Sequence, residues 1–365
     1  MEQKPSRPVV CPDCDAGGES ELVQVDRRDF LKSVGTTAAV AAGAGLPVWA
    51  MPKADAAPDR NSAAETAVKG LYETLTDDQR KVICFDWDYV DKERGLLRTH
   101  VSNNWQITKP RITDGKGFYT KKQQTLIHDV FQGIINKDWY GKFLKQLKDD
   151  TGGKEWGVDQ SIAIFGKPGG DKFEFVMTGR HMTIRADGNT ESHVAFGGPI
   201  FYGHAASGNF NEKVHHPGNV FWQQGVMANK VYQMLAPEQQ KQALLEKLPS
   251  ESAVQFQGAM GKFPGIGVAA FADDQKKELQ KVLMALVEPY RKEDQEEALE
   301  CLQKQGGLDK CSLAFYKEGD IGGDGEWDCW RLEGPSFVWY FRGYPHVHVW
   351  VNVADDPSVK LNAQG

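Results

Sequence analysis

The chain has 365 residues, of which 40% are apolar and 25% charged, and a formal net charge of -7 at pH 7. This composition is typical of a globular protein with one large or two ordinary domains. The negative charge and the lack of a dense basic cluster argue against a nucleic-acid partner. No uninterrupted apolar run has the length of a stable membrane-spanning helix.

The N-terminal part of the sequence predicts an export signal. The segment Asp26-Arg27-Arg28-Asp29-Phe30-Leu31-Lys32 resembles the twin-arginine motif, with Arg27 and Arg28 as its arginine pair. An uncharged Ala/Gly-rich stretch follows, and Ala54-Asp55-Ala56 fits an A-x-A cleavage site. We expect residues 1–56 to be a signal peptide that the twin-arginine export machinery recognises. The protein is then periplasmic or extracellular, with no stable membrane span after cleavage.

Six cysteines are present, and two of them fall in the predicted signal peptide as Cys11 and Cys14. The four that remain after cleavage are Cys84, Cys301, Cys311 and Cys329. An exported protein is allowed to form disulfides. Cys301–Cys311 and Cys311–Cys329 are both reasonable pairings, and spacing does not choose between them.

Helices are predicted before and between two groups of strands. Residues 57–75 form a linker that runs into a short helix, and Thr76 with Gln79 is a capping box that starts the next helix. Residues 121–149 have a helical apolar stripe that breaks near residues 136–138. Further helices are predicted over residues 221–235, 237–248, 273–287 and 293–303.

Runs rich in β-branched and aromatic residues predict strands in two blocks, about residues 159–202 and 311–353. Neither block alone makes a convincing sheet. We therefore expect one mixed or mainly antiparallel sheet built from both blocks, with helices packed on one face. The predicted fold class is α+β, with a single domain over residues 76–356 and a tail at residues 357–365. A two-domain division near residue 150 is the alternative.

The last predicted strand places two imidazoles on one side of the sheet. Valines at 347, 349 and 351 alternate with His346, His348 and larger polar or aromatic residues, so one face is aliphatic and the other polar-aromatic. Side chains at i and i+2 of a strand point the same way, so both imidazoles can share one metal ion. Without further ligands, the pair is two ordinary histidines on a half-exposed strand.

A third imidazole comes from the earlier strand block. His181 opens a predicted strand whose polar face continues with Thr183 and Arg185, while Met182 and Ile184 face the core. If the two blocks meet, His181 approaches His346 and His348 and completes a three-His set with an open position, as a catalytic Zn, Fe or Cu site needs. The fourth ligand is either His204 or Glu191. The alternative is a polar sheet face that binds nothing, or an organic ligand.

Cationic and aromatic residues near these histidines are candidates for binding a small-molecule ligand. Arg180 and Arg185 flank the predicted strand, and a guanidinium pairs bidentately with a carboxylate. Asn104 and Trp105 complete the candidate substrate-binding set. Tryptophans in the C-terminal strands suggest sugar stacking, but at strand spacing they are more often core residues. The four are Trp327, Trp330, Trp339 and Trp350.

Several segments together resemble an exported bacterial family catalogued as domain of unknown function 3500. They are the arginine pair with the Ala run, LTDDQR, Asn104-Trp105, TGRHMTIRADGN, AFGGPIFYGH and EGPSFVWYFRGYPHVHVW. Family members often carry Gly-His-His where this chain has Gly179-Arg180-His181, and Trp-His where it has Trp105-Gln106. The resemblance supports the fold extent and the choice of His181, His346 and His348, and it implies no reaction.

Two functions are consistent with these patterns. The first is an exported protein with a His-based transition-metal site on the sheet, which assists hydrolysis or oxidation of a small anionic substrate. The second is a non-catalytic envelope protein that binds a sugar or another organic ligand. The sequence leaves open whether the protein is an enzyme.

Overall fold

The computed structural model describes residues 57–113, 115–206, 212–213, 215–359 and 361–363. The predicted signal peptide, with Arg27, Arg28 and the first two cysteines, lies outside the described residues. Within the described ranges, every helix is too short or too polar to cross a bilayer.

In the part of the chain that the structure describes, eight α-helices occupy the positions that capping and periodicity predict, with shifts of a few residues at their ends. The predicted capping box of Thr76 and Gln79 is present, and Pro237 takes the first position of its helix. The predicted break near residues 136–138 is a short 3-10 turn, Lys137–Trp139. The helices are α1 Ala63–Thr74, α2 Asp77–Ile83, α3 Lys121–Ile134, α4 Tyr140–Asp150, α5 Trp222–Met234, α6 Pro237–Ala243, α7 Asp273–Val287 and α8 Lys292–Lys304.

The described residues include fifteen strands, many of them only two residues long. They are β1 Cys84–Phe85, β2 Val90–Asp91, β3 Gly95–Leu96, β4 His100–Val101, β5 Ser161–Gly166, β6 Phe173–Gly179, β7 Met182–Ala186, β8 Ile200–His204, β9 Leu244–Leu245, β10 Ile266–Gly267, β11 Ser312–Tyr316, β12 Cys329–Gly334, β13 Phe337–Arg342, β14 Val347–Val353 and β15 Asn362–Ala363.

Eleven of these strands form one mixed sheet, which confirms the α+β class. The order is β1-β5-β6-β7-β8-β14-β13-β12-β11-β10, and β9 pairs with β11. The pairs β1–β5 and β9–β11 are parallel and the others antiparallel. The sheet is not restricted to the two predicted blocks, because β1, β9 and β10 come from outside them. The contact of β8 with β14 brings chain segments about 145 residues apart side by side.

Both faces of the sheet are buried, which the sequence did not predict. The helices cover one face, where Val347, Val349 and Val351 join the main core as their alternation predicts. On the opposite face, the β11–β14 part is covered by a stretch without helices, residues 249–257, here called the covering segment, and the β5–β6 part is covered by residues 97–107. Asn352 Nδ2 donates to the Val254 carbonyl oxygen at 3.0 Å, and Tyr340 Oη donates to that of Pro249 at 3.0 Å. As a result every residue of β14 is buried.

All four cysteines of the described residues are free thiols, so neither predicted disulfide is present. Cys311 lies in the core on the helix side of the sheet, whereas Cys329 lies in the cluster under the covering segment. The sheet therefore separates these two residues. Cys301 belongs to α8 and is buried. Burial raises the pKa of the Cys311 and Cys329 thiols to about 12, so both stay protonated at neutral pH.

Candidate metal centre

His346 and His348 lie at the start of β14 and point to the same side of the sheet. His346 immediately precedes the strand and His348 is its second residue. Their ring centroids are 4.7 Å apart, and their Nε2 atoms are 3.0 Å apart. Both side chains are buried, with 0% and 1% exposure. The i and i+2 spacing therefore brings the two imidazoles together as predicted.

His181 reaches the pair from the turn between β6 and β7. Its backbone has a φ of 55°, a conformation that is uncommon for residues other than glycine. The strand therefore begins at Met182, one residue later than predicted. The backbone N–H of His181 donates to the carbonyl oxygen of Asn103 at 3.1 Å. The side chain is completely buried.

Gly203 on β8 leaves the space in which the rings meet. It is the register partner of His348, and β8 separates β14 from β7. A Cβ atom on Gly203 would lie 3.3 Å from Cγ of His181 and would clash with the carbonyl oxygen of Val347. Because glycine has no side chain, the imidazole of His181, from the turn before β7, can meet those of His346 and His348, from the start of β14, over Gly203.

The three Nε2 atoms form a small triangle. His181 Nε2 lies 3.3 Å from His346 Nε2 and 3.1 Å from His348 Nε2. The third side, between the Nε2 atoms of His346 and His348, is 3.0 Å. Three nitrogens that each bind one ion at about 2.0–2.1 Å are separated by roughly 2.9–3.4 Å in octahedral or tetrahedral geometry. The triangle therefore has the dimensions of a three-His metal site, and among the described residues this group alone meets the spacing for metal binding.

Two of the imidazoles contact a carboxylate through their Nδ1 atoms, and these carboxylates belong to the buried Asp150 and the partly buried Glu251. His181 Nδ1 lies 2.9 Å from Asp150 Oδ2, and His348 Nδ1 lies 3.2 Å from Glu251 Oε2. An ionised carboxylate only accepts hydrogen bonds, so each Nδ1 carries the proton and each Nε2 turns a lone pair toward the triangle. Carboxylates in this position orient imidazole ligands and raise their basicity.

Both carboxylates are themselves fixed by further contacts. Asp150 accepts hydrogen bonds from the Ala205 N–H at 2.8 Å and from Gln146 Nε2 at 2.6 Å. Burial acts to raise the pKa of Asp150, but His181 and these donors hold it well below its usual range. Glu251 belongs to the covering segment; it accepts from Trp350 Nε1 at 3.1 Å and pairs with Arg342.

The protonation states of the imidazoles favour a bound cation. Burial lowers the pKa of His181 to about 4 against the opposing effect of Asp150, and the charges of His348 and Arg180 lower it further. Burial also places the pKa of His346 well below its usual value. At neutral pH the rings of His181 and His346 are therefore uncharged. Lone pairs that face each other at about 3 Å repel, and a metal ion between them removes that repulsion.

Neither predicted fourth ligand belongs to this group. His204 is buried, but its Nε2 lies 3.1 Å from Asp149 Oδ2 and its Nδ1 accepts from the Val220 N–H at 3.0 Å. Both ring nitrogens are thus engaged in structural contacts. Glu191 lies 3.8 Å from Arg98, near the other end of β7. His204, which was predicted as a metal ligand, therefore lies outside this group, which in the described part of the chain consists of His181, His346 and His348.

The two predicted arginines have different positions. Arg185 is buried, and four of its five N–H groups donate hydrogen bonds, to Glu174 Oε1 at 2.6 Å and to the carbonyl oxygens of Arg98, His100 and Pro199. These contacts hold Arg185 within the fold, and its role in binding a substrate stays a prediction. Arg180 lies beside the centre, where its charge lowers the pKa of His181 and His346.

The other candidate ligand-binding residues support the turn at His181. Trp105 is 8% exposed, and its Nε1 donates to Thr183 Oγ1 at 2.9 Å. Asn104 forms an isolated β-bridge with Arg180. Trp330, Trp339 and Trp350 are fully buried, so these three rings are not exposed for stacking on a sugar.

Three residues that matter to the centre were missed in the sequence. Asp150 lies one residue beyond the predicted helical stretch 121–149, and neither Gly203 nor Glu251 was given a role. A pair of adjacent aspartates at a helix end was the one available signal. The sequence around Glu251 has no helical or strand periodicity, so no pattern predicts that this residue lies over β14.

Fold and site together define the class: an α+β protein with an eleven-stranded mixed sheet and a buried three-histidine cluster. The chain belongs to the family described as "Protein of unknown function (DUF3500)", which matches residues 58–351. The resemblance noted in the sequence is thereby confirmed for the family. No curated protein and no solved structure matches the chain significantly. The chemistry therefore has to be argued from the site itself.

Proposed function

We propose that the protein is a metalloenzyme in which His181, His346 and His348 bind one divalent transition-metal ion. The observation that carries the proposal is the triangle of three buried Nε2 atoms with sides of 3.0–3.3 Å. Structural zinc sites use four protein ligands, whereas catalytic sites use three and keep a position open. Among the residues that the structure describes, no fourth protein ligand joins the three imidazoles, which supports a catalytic centre.

Zinc suits this ligand set best. Imidazole nitrogen binds Zn, Cu, Fe and Ni, and the group contains no thiolate or thioether that would select Cu(I). Non-haem iron oxygenases usually replace one of the three imidazoles by a carboxylate. Copper and iron are the remaining candidates, and with either of them the chemistry would be an oxidation.

The charges around the centre favour an anionic substrate. Arg180 lies beside the centre, where its charge lowers the pKa of His181 and His346, and Arg342 pairs with Glu251, so cationic side chains accompany the proposed ion. Bound zinc lowers the pKa of a water ligand to about 7 and polarises an acyl or phosphoryl oxygen. Arg180 is placed to hold the negative group of the substrate. We infer metal-assisted hydrolysis of a small anionic compound.

We also propose that the protein acts after export by the twin-arginine route. The support is the motif with Arg27 and Arg28, followed by the uncharged stretch and the A-x-A site. Fractionation of cells that produce the Arg27→Lys, Arg28→Lys double variant tests this. Retention inside the cell is expected, and unchanged export of the variant would refute the route.

Cobalt substitution tests the metal centre and its open position together. Protein stripped with a chelator and loaded with Co²⁺ should bind one ion per chain and show visible bands that change when azide is added. His346→Ala with His348→Ala should abolish both signals, whereas His193→Ala should retain them, because His193 is a surface residue paired with Asp355. Absence of stoichiometric cobalt in the wild type refutes the centre. Binding without any azide response refutes the open position.

A further inference from the structure

A second candidate site lies at the β1 edge of the sheet. A surface cavity of about 500 Å³ lies between the end of α2, β1 and residues 106–111. Its apolar wall is formed by Val82, Phe85 and Ile107. Phe85 stacks on Phe165 with ring centroids 5.5 Å apart, so this wall is a continuation of the packed sheet. Small-molecule sites typically have roughly 300–1,000 Å³, and the cavity falls in that range.

Apolar side chains around the cavity are unusually exposed. Val82 is 40% exposed, Tyr89 38% and Val90 65%, and the ring of Tyr89 lies 4.8 Å from that of Phe85. These are three of the five large hydrophobic residues exposed in the described part of the chain. Clustered exposed apolar side chains mark binding surfaces more often than isolated ones do.

Arg94 lines the cavity, but its guanidinium is used in contacts that hold the wall of the cavity together. Its Nη1 donates to the carbonyl oxygens of Gln106 and Ile107 at 3.4 and 3.2 Å, and its Nη2 pairs with Asp91 at 2.9 Å. The guanidinium is therefore committed to holding the 106–111 stretch in place. The hydroxyl of Thr108 is likewise used, since it donates to the Ile162 carbonyl oxygen at 2.8 Å.

Two other cations of the cavity have no such partner. Lys109 and Arg111 both line it, on either side of Pro110. Within the described ranges, no carboxylate lies within ion-pair distance of either side chain, and no carboxylate lines the cavity. In a protein with a net charge of -7, it is distinctive that Lys109 and Arg111 line an apolar cavity without a carboxylate partner among the described residues.

We propose that this cavity binds an amphipathic organic anion, a compound with an aromatic or aliphatic body and one carboxylate or sulfonate. The body would pack on Val82, Phe85 and Ile107, and the anionic group would pair with Lys109 and Arg111. An apolar wall with a few convergent polar groups is the usual construction of a small-molecule site. The proposal does not rest on the metal centre.

A membrane surface fits the same patch less well. Segments that bind anionic bilayers carry clusters of about four to eight Lys or Arg, because each contributes only about 1 kcal/mol. Here only two cations line a concave cavity, and neither has a carboxylate partner in the part of the chain that the structure describes. A flat anionic surface would reach the cations but leave the wall of the cavity unfilled, whereas a small molecule contacts both.

A pair of fluorescent probes with the same ring system tests the proposal. 8-Anilinonaphthalene-1-sulfonate carries the anionic group, and N-phenyl-1-naphthylamine lacks it. Both are titrated into the wild type, into the Lys109→Gln, Arg111→Gln double variant, and into a control with the same charge change elsewhere, Lys241→Gln with Lys262→Gln. Circular dichroism melting confirms that all proteins are folded, and each titration is repeated after treatment with a chelator.

The expected result is one sulfonate probe per chain, bound at least about tenfold more tightly than the uncharged probe, as one charge-assisted contact provides. The Lys109→Gln, Arg111→Gln variant should lose that preference, and the control and the chelator should leave it intact. Four results would overturn the proposal: no saturable binding, equal binding of the two probes, binding unaffected by the double variant, or binding abolished by the chelator. Binding to phosphatidylglycerol vesicles that depends on Lys109 and Arg111, without probe binding, would assign the patch to a membrane instead.

Discussion

Asp149 and Asp150 are consecutive residues at the end of α4, yet each contacts a different imidazole. Asp150 is buried and holds His181, whereas Asp149 lies 3.1 Å from His204 and is partly exposed. At the residue scale, the two aspartates therefore differ in role. Asp150 contacts a proposed metal ligand and can orient it, whereas Asp149 contacts a histidine outside the proposed metal site. A comparison of the two aspartates therefore measures the orientation of the ligand.

We expect Asp150→Asn to weaken metal binding about 10–100-fold, because the loss of a carboxylate behind an imidazole ligand has effects of that size. Asp149→Asn removes the same charge one residue away and should change the affinity less than about threefold. Competition with a chromophoric chelator measures both constants. Equal losses in the two variants would mean that the effect is general electrostatics and that Asp150 has no orienting role.

Glu251 gives a second residue-scale prediction. Glu251→Gln keeps an oxygen that accepts from His348 Nδ1, whereas Glu251→Ala removes it. We expect the Ala variant to lose about tenfold or more in metal affinity and the Gln variant to recover most of that loss. The absorption spectrum of the cobalt-loaded protein should change with the Ala variant alone. Identical spectra for all three proteins would refute the contact.

At the scale of elements, the sequence predicts which side chains lie on each face of a strand. It does not predict which segment of the chain packs on that face. The alternation of valines with His346 and His348 predicts the two sides of β14 correctly, because the period of a strand is two. The covering segment has no period and comes from residues 249–257, far from β14 in sequence. Its position over the second face depends on hydrogen bonds such as that of Asn352 with Val254, which no local pattern encodes.

The candidate metal site likewise has a part that the sequence predicts and a part that it does not. Spacing predicts that His346 and His348 share a direction, and polarity suggests that His181 joins them. The internal contacts of Arg185 and His204 could not be predicted, because their partners, Glu174 and Asp149, lie on other elements. A single sequence shows which residues are polar, but it does not show which of them are already paired.

The packing of α3 on α1 gives a prediction at this scale. A Cβ atom on Gly133 would lie 2.8 Å from the backbone nitrogen of Ala64, so the two helices are in backbone contact there. Gly133→Ala should destabilise the protein by about 1–3 kcal/mol through overpacking. Gly141→Ala in α4 meets nothing within 4 Å and should stabilise it by up to about 1 kcal/mol. Urea denaturation distinguishes them, and a stabilising Gly133→Ala would contradict the close contact.

At the scale of the whole molecule, buried acids make stability depend on pH. Burial raises the pKa of Asp187 to about 7, and the nearby Glu174 adds to the effect. The unfolded chain releases this proton near pH 4, whereas the folded protein keeps it to about pH 7. The folded pKa is the higher one, so the contribution of Asp187 to stability falls as pH rises through this window and is constant above it.

Asp187→Asn isolates this titration, because other groups cancel when the two proteins are compared. The unfolding free energy of the wild type minus that of the variant should fall between pH 4 and 7, with a slope of at most about 1.4 kcal/mol per pH unit. It should be flat above pH 8. Urea denaturation over that pH range provides the measurement. A difference independent of pH would show that Asp187 is ionised throughout.

The central claim is that three imidazoles from β14 and the turn before β7 hold one metal ion. Anomalous diffraction from crystals of the purified protein, with data on both sides of the zinc, copper and iron absorption edges, tests it most directly. We predict a single peak at one of these edges, about 2.0–2.2 Å from the Nε2 atoms of His181, His346 and His348. Crystals with no peak inside the triangle, or with the three rings turned away from one another, would contradict the claim.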